Sequence, residues 1–274
     1  MSTPPGYVVY RGPSLIDGSP IVVIVNTITH GSNSKLIKIQ SRSMAQVWIF
    51  RSDVAPNAAI KSGRDVAVCG ACPFAGDHGC FVDMRPLLSV WHAFERGSYA
   101  DATPEEMAGI LGAAIAADRC AGVRFGAYGD PGAVPFEVLG PLAAVVDALG
   151  ATRTGYTHAW GPYAVPGFVA DVRLRTLAMA SGHTARDERE ARAAGYRSFI
   201  STPTATTPIP GSAPCPASKE AGYRKTCDDC GACSGVRSMA DRRASMRIAV
   251  HGSAYKVSRS IAAIRRVEAA QAAR

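Results

Sequence analysis

Long apolar runs are missing from this sequence. No stretch approaches the roughly 18 residues that a bilayer-spanning helix requires, which excludes an ordinary transmembrane helix. The opening Met1-Ser2-Thr3-Pro4-Pro5 has neither the basic start nor the apolar core of a signal peptide, so the cytoplasm is the expected location. No Gly-x-x-x-x-Gly-Lys-Ser/Thr loop is present to cradle phosphates, and no Gly-x-Ser-x-Gly elbow to expose a serine nucleophile. Histidines number only six, and no two are one, three or four positions apart. A two-histidine metal site on one helix or strand is therefore not expected. There is no internal repeat. Charged residues make up 19% and hydrophobic ones 47% of 274 residues, which suits a soluble globular protein with a sizeable core.

What the sequence has instead is clustered cysteine. Cys69, Cys72 and Cys80 surround a Gly- and Pro-rich loop, Cys69-Gly-Ala-Cys-Pro-Phe-Ala-Gly-Asp-His-Gly-Cys80. Far downstream come Cys215-Pro216 and the run Cys227-x2-Cys230-x2-Cys233. Thiols stay reduced in the cytoplasm, so clusters there argue for metal rather than disulfides. Three cysteines with two-residue gaps and a fourth followed by proline resemble ferredoxin-type ligation of a 4Fe–4S cluster. Tetrahedral zinc at Cys215, Cys227, Cys230 and Cys233 is the alternative, although zinc knuckles use paired Cys-x2-Cys and the single Cys215 breaks the pairing. The proximal three leave one ligand position for His78, a distal cysteine or an exogenous molecule. One or two clusters, or one shared between the sets, fit the count. Cys120 stands alone, as small buried apolar cysteines do.

Along the chain, Tyr7–Tyr10, Ile21–Val25 and Val47–Arg51 read as strands, an N-terminal β-rich segment. Gly31–Lys35 reads as a polar loop. Asp83 caps a helix carrying Leu87, Leu88, Trp91 and Phe94, and Thr103-Pro-Glu-Glu106 opens another with a capping box. From Val123 onward strands and helices alternate: a strand to Tyr128, a helix to Gly150, a strand from Thr152 to Trp160, a helix over 168–178, a helix capped by Thr184, and strands at 196–200 and 247–250. The expected fold is α/β, with a partial (β/α) barrel-like core, the N-terminal β-rich segment and Cys-rich metal loops. Residues 1–253 form a single α/β domain with Cys-rich insertions at 69–80 and 215–233, and 254–274 a basic C-terminal helix. Active sites of such folds gather where strands end. The conspicuous residues there are Tyr128, Asp130, Tyr156, His158, Trp160, Ser181, His183, Ser201, Cys215 and His251. Tyr128, Asp130 and His158 are the catalytic candidates; a turn role for Asp130 and a packing role for His158 compete.

Net charge is +8, and its placement is informative. Residues 237–274 hold nine Lys or Arg against Asp241 and Glu268. Arg242, Arg243, Lys256, Arg259, Arg265 and Arg266 are the candidate contacts to nucleic-acid phosphate. Mere solubility of an Ala-rich helix is the competing explanation. DNA and RNA remain equally open, and no membrane partner is expected.

Several of these motifs together resemble the phage gene-product-88 family of tailed phages and prophages: Ser14-Leu-Ile-Asp-Gly18, Ile49-Phe-Arg-Ser-Asp53, Cys69-Gly-Ala-Cys-Pro73 with Cys80, Tyr128-Gly-Asp-Pro131, Gly155-Tyr-Thr-His158, Met179-Ala-Ser181, Cys215-Pro-Ala-Ser218, the three-Cys run and Val250-His-Gly252. The resemblance spans about residues 7–253. It implies a phage-encoded protein in the cytoplasm of the bacterial host, associated with phage DNA replication or metabolism. Members are also labelled rolling-circle initiators, but the His-x-His of such nickases is absent here. A weaker similarity is to radical SAM iron–sulfur barrels, whose Cys-x3-Cys-x2-Cys is replaced by Cys-x2-Cys-x7-Cys. Three functions follow as expectations. The first is an iron–sulfur protein that binds or acts on nucleic acid. The second is a radical SAM-like or other redox enzyme using an open iron at Cys69/Cys72/Cys80. The third is a nucleic-acid-binding module with structural zinc.

Overall fold

A computed structural model describes residues 4–26, 43–76, 79–219, 221–222, 224–238 and 240–273. The expected loop at Gly31–Lys35 and the candidate ligand His78 lie outside these residues. Strands β1 (Tyr7–Pro13), β2 (Pro20–Asn26) and β3 (Ser43–Arg51) form an antiparallel block. In β2 the run Ile21–Val25 is buried at every position, as a strand covered on both faces must be. Two short helices, α1 (Pro56–Ser62) and α2 (Val66–Cys69), lead into the proximal cysteine loop. Helix α3 (Met84–Glu95) follows; as expected, Asp83 caps it by accepting from the Arg85 amide. After the short edge strand β4 (Ala100–Asp101), α4 (Pro104–Ala116) starts on a complete Thr103/Glu106 capping box.

The remaining elements alternate. β5 (Cys120–Tyr128), α5 (Phe136–Ala148), β6 (Thr152–Thr157), α6 (Leu174–Leu177), β7 (Met179–Gly182), α7 (Ala185–Ala193) and β8 (Ser198–Thr202) come in order. Then follow β9 (Ser212–Pro214), α8 (Cys227–Cys230), β10 (Ser245–Ala249) and α9 (Ala254–Ala272). Together they make one ten-stranded, mostly parallel sheet in the order β4-β1-β2-β3-β5-β6-β7-β8-β10-β9. From β5 to β8 each strand pairs in parallel with the next one in the chain, the winding a barrel would use. The sheet is nevertheless open, with β4 and β9 at its ends, so the barrel-like closure is not formed among the described residues. The antiparallel β1–β3 block extends the sheet on one side, and the distal cysteines pack against side chains of β7 and β10.

Side-chain alternation makes those faces readable. On β7, Ala180 packs with Ala191 of α7, whereas its neighbour Met179 points the other way, into a cluster with Cys233 and Met246. The helix expected over 168–178 shrinks to α6. Val169 and Val172 are exposed and have no core to bury against, and Arg173 instead ties Asp171 to Glu137. The loop Ser201–Pro214 is partly ordered by β9 pairing with β10. Lone Cys120 is buried, its thiol donating to the Gly122 carbonyl at 3.1 Å.

The rim where β3 and β5 end is close-packed at Gly129. With φ +79° and the Ile49 Cβ and carbonyl oxygen both 2.6 Å from where a Cβ would sit, only glycine fits. Gly129→Ala should lower stability by about 2 kcal/mol or more, through left-handed strain and overpacking; a urea unfolding midpoint equal to that of the parent protein would contradict this packing.

Candidate metal centres

The proximal cysteines are placed by backbone contacts between α2 and the end of β5. The Asp130 amide donates to the Val68 carbonyl at 2.6 Å, and the Ser14 hydroxyl to the Ala67 carbonyl at 2.6 Å. Helix α2 therefore ends with Cys69 under the strand rim. The Cys72 sulfur accepts from the amides of Phe74 and Ala75, and the Cys80 sulfur from that of Val82. Such amide donors favour a thiolate. Burial works against it, pushing all three thiols up, and the proximity of Cys72 and Cys80 adds to the rise at Cys69. A cation at this place would reverse that balance, because a coordinating thiol is deprotonated outright.

Two imidazoles stand beside the thiols. His158, just after β6, brings its Nε2 within 4.0 Å of the Cys72 sulfur. His183, just after β7, faces it with the two Nε2 atoms 3.3 Å apart and the rings stacked. Tyr163 packs edge-on against both rings, and Phe74 against His183. Burial lowers both pKa values to about 3, helped at His158 by the neighbouring His183, so both rings are neutral. The His183 Nδ1 is buried without a hydrogen-bond partner. So is the Tyr128 hydroxyl, which lies against the Cys69 sulfur without full hydrogen-bond geometry.

The other catalytic candidate has a different job. The Asp130 carboxylate accepts from the Thr157 hydroxyl (2.6 Å) and the Gly132 amide (2.8 Å) at one oxygen. At the other it accepts from the amides of His158 (2.6 Å) and Ala159 (3.3 Å). All four acceptor sites are filled. Asp130 thus stitches the end of β5 to the end of β6 and sets His158 in place. Burial raises its pKa, and the four donors oppose the rise. Of the remaining rim residues, His251 stacks on Phe81 at the surface, the Trp160 indole donates to the Ser181 carbonyl, and Tyr156 belongs to the distal set.

The distal cysteines form a second group on the sheet face. The Cys215 amide pairs with the Arg247 carbonyl, the Gly155 amide with the Cys233 carbonyl, and the Thr152 hydroxyl with the Asp228 carbonyl. Cys233 packs with Met179 and Met246, beside Tyr156, Phe199 and Cys215. The Tyr156 hydroxyl donates to its sulfur. The charges that act on Cys233 are those of Cys227, Cys215 and Cys230; those that act on Cys69 are Cys72, Cys80, Asp65 and Asp130. The cysteines thus fall into two groups, one around Cys69 and one around Cys233. Three arginines hold the loop that ends the distal set, and composition alone gave no sign of them. Arg197, wholly buried, donates to the carbonyls of Ala232, Gly235 and Ala244, and stays cationic although burial lowers its pKa to about 10. Arg153 reaches the Ser234 carbonyl, and Arg243 the Gly235 carbonyl and Ser234 hydroxyl. Arg197 and Cys233 act on each other electrostatically, while burial pushes the Cys233 thiol up.

All eight cysteines are free thiols. Among the described residues, no three His, Cys, Asp or Glu converge tightly enough to hold a single ion. Thiolates of an iron–sulfur cluster bind separate irons, so they need not converge on one point.

Helix α9 lies over the proximal loop. Ser260, Ala263 and Ile264 are buried; Ala263 and Ile264 pack with Phe74 and Val250, and the Ser260 hydroxyl donates to the Gly79 carbonyl at 3.0 Å. Gly79 has no room for a side chain, because the Ser260 side chain and backbone fill that space. Lys256 donates to the Val82 carbonyl beside Cys80, and Arg243 is clamped by both oxygens of Asp241. Arg259 lies over the Tyr255 ring, while Arg265 and Arg266 are exposed on α9 and Arg242 is exposed by the distal loop. The candidate phosphate contacts thus divide between two places, and Lys256 and Arg243 already serve the protein's own loops. No helix among the described residues is long and apolar enough to cross a membrane. No family model matches the chain, and neither curated proteins nor solved structures provide a match.

The neutral histidines have a consequence for the metal-free protein. Unfolded histidines take up protons below about pH 6.5, whereas the folded rings refuse them until about pH 3. The unfolded state therefore binds more protons across that window, and stability must rise with pH through it. Metal-free protein should lose urea resistance as pH falls from about 6.5, and His183→Phe should flatten that dependence; an unchanged slope in the variant would mean that the ring is not buried neutral.

Proposed function

We propose that the protein is an iron–sulfur protein with two separate thiolate centres, acting on or binding nucleic acid in phage DNA replication or metabolism. The observation that carries the cluster is the company around the proximal thiols. Three half-buried cysteines, two neutral imidazoles and the buried Tyr128 hydroxyl beside Cys69 sit together, and among the described residues Lys256 stands at the edge as the cation that acts on Cys80. Buried polar groups are nearly always satisfied, so the open atoms of Tyr128 and His183 mark a place where a water or an ion belongs. Thiolate softness selects iron–sulfur or zinc. Zinc at Cys215, Cys227, Cys230 and Cys233 remains the alternative for the distal set.

The nucleic-acid part is supported by placement. Helix α9 covers the proximal loop on one side and carries Arg259, Arg265 and Arg266 exposed to solvent, open to phosphate. A redox enzyme with an open iron at Cys69/Cys72/Cys80 is the second reading, favoured by the imidazoles that border that position.

Deleting residues 254–274 would be a poor test, because it also strips Ser260 and Ile264 from the proximal loop. Replacing Arg259, Arg265 and Arg266 together by alanine keeps that cover. The variant should bind single- or double-stranded DNA or RNA more weakly, with the salt slope of log affinity reduced by about 2 to 3; equal affinity and equal slope would refute the nucleic-acid role of α9.

A further inference from the structure

We propose that α9 and the loop ahead of α3 form a docking site for single-stranded nucleic acid. Unpaired bases stack on Tyr255 and on the Phe81–His251 pair, while Arg259 and Arg266 hold the phosphates. The proposal rests on the nucleic-acid reading above and names the kind of strand and the rings that grip it.

The outer side of α9 supplies half of the site. Ser260, Ala263 and Ile264 turn inward. Tyr255, Arg259 and Arg266 are all exposed, and steps of four and seven residues line them up along the other side of the helix. Of the described Phe, Tyr and Trp side chains, only Phe81 and Tyr255 are exposed, at 36% and 57%. Arg259 lies over the Tyr255 ring, 5.3 Å from its centroid, and donates to its hydroxyl at 3.2 Å. A ring and a guanidinium held this close suit the base and phosphate of one nucleotide.

The second ring platform stands at the start of the same helix. Phe81 and the exposed His251 stack with centroids 5.2 Å apart and planes 20° apart, and Phe74 supports Phe81 edge-on. Lys256, next to Tyr255 in the chain, bonds the carbonyl of Val82, next to Phe81. Both platforms therefore belong to one surface.

Charge selects the partner. Arg85, its side chain 89% exposed, flanks the Phe81 loop, and Arg265 flanks the stripe on α9. Asp83 is the acidic group in the loop and is already paired with Arg85; Glu268 is the acidic group in α9. A polyanion matches this surface, and an apolar partner would have to strip water from its guanidiniums. A duplex offers phosphates but keeps its bases stacked inside, whereas a single strand offers both.

The test is fluorescence anisotropy of the full-length protein with a labelled oligothymidylate and with a duplex of equal length, over a series of salt concentrations. The parent should bind the single strand more tightly. Tyr255→Leu should weaken that binding about tenfold without changing the slope of log affinity against log salt, because no charge is removed. Tyr255→Phe, which keeps the ring, should bind like the parent. Phe81→Leu, with its urea midpoint checked, should also weaken single-strand binding. Equal affinity of the parent for both probes, or parental affinity in Tyr255→Leu or in Phe81→Leu, overturns the proposal while leaving phosphate binding by α9 intact. Failure of the parent to bind either probe would instead defeat the nucleic-acid reading on which the proposal stands.

Discussion

Burying a thiol raises its pKa, and burying three together raises each further, since every thiolate formed opposes the next. The proximal loop accepts that cost in a place the fold has worked to define. Asp130 ties two strand ends together, the amides after Cys72 and Cys80 aim at their sulfurs, and α9 closes over the loop. With their pKa values raised by burial, the three thiols stay protonated in the metal-free protein. A bound soft cation would reverse that state, because a coordinating thiol is deprotonated outright.

The distal set meets the same constraint by another route. It lies on the sheet face, in contact with Met179, Met246 and Phe199, and its loop is held through carbonyls by Arg153, Arg197 and Arg243. Those guanidiniums supply both hydrogen bonds and positive charge. Each set also has a tyrosine from the end of a neighbouring strand, Tyr128 at Cys69 and Tyr156 at Cys233. Phenol groups next to cluster sulfurs are one of the levers by which a protein adjusts reduction potential.

Much of this was legible before the fold was known, where the signal was local. The capping box at Thr103, the caps at Thr184 and Asp83 and the alternation of strands and helices after Val123 are all present in the structure. The cysteine spacing already separated two groups. Other features depend on tertiary contact. β7 is only four residues, Met-Ala-Ser-Gly, and carries no strand pattern. His158 and His183 are far apart in sequence and meet only because β6 and β7 are neighbours in the sheet. The expected basic helix over 254–274 is present as α9, but its landing on Gly79 could not be read from the sequence. The buried arginines were invisible because a charge in the core looks like a charge on the surface until its carbonyl partners are known. Closure into a barrel failed as an expectation because strand order alone does not determine whether the last strand returns to the first.

The most direct test of two separate iron–sulfur centres is elemental iron and acid-labile sulfide on anaerobically purified protein, compared with two serine triples. One triple replaces Cys69, Cys72 and Cys80; the other replaces Cys227, Cys230 and Cys233. The account predicts iron and sulfide in equal amounts in the parent, with each triple retaining about half, as expected for one remaining [4Fe–4S] cluster. Zinc without sulfide in the parent, or complete loss of iron in either triple, would contradict it.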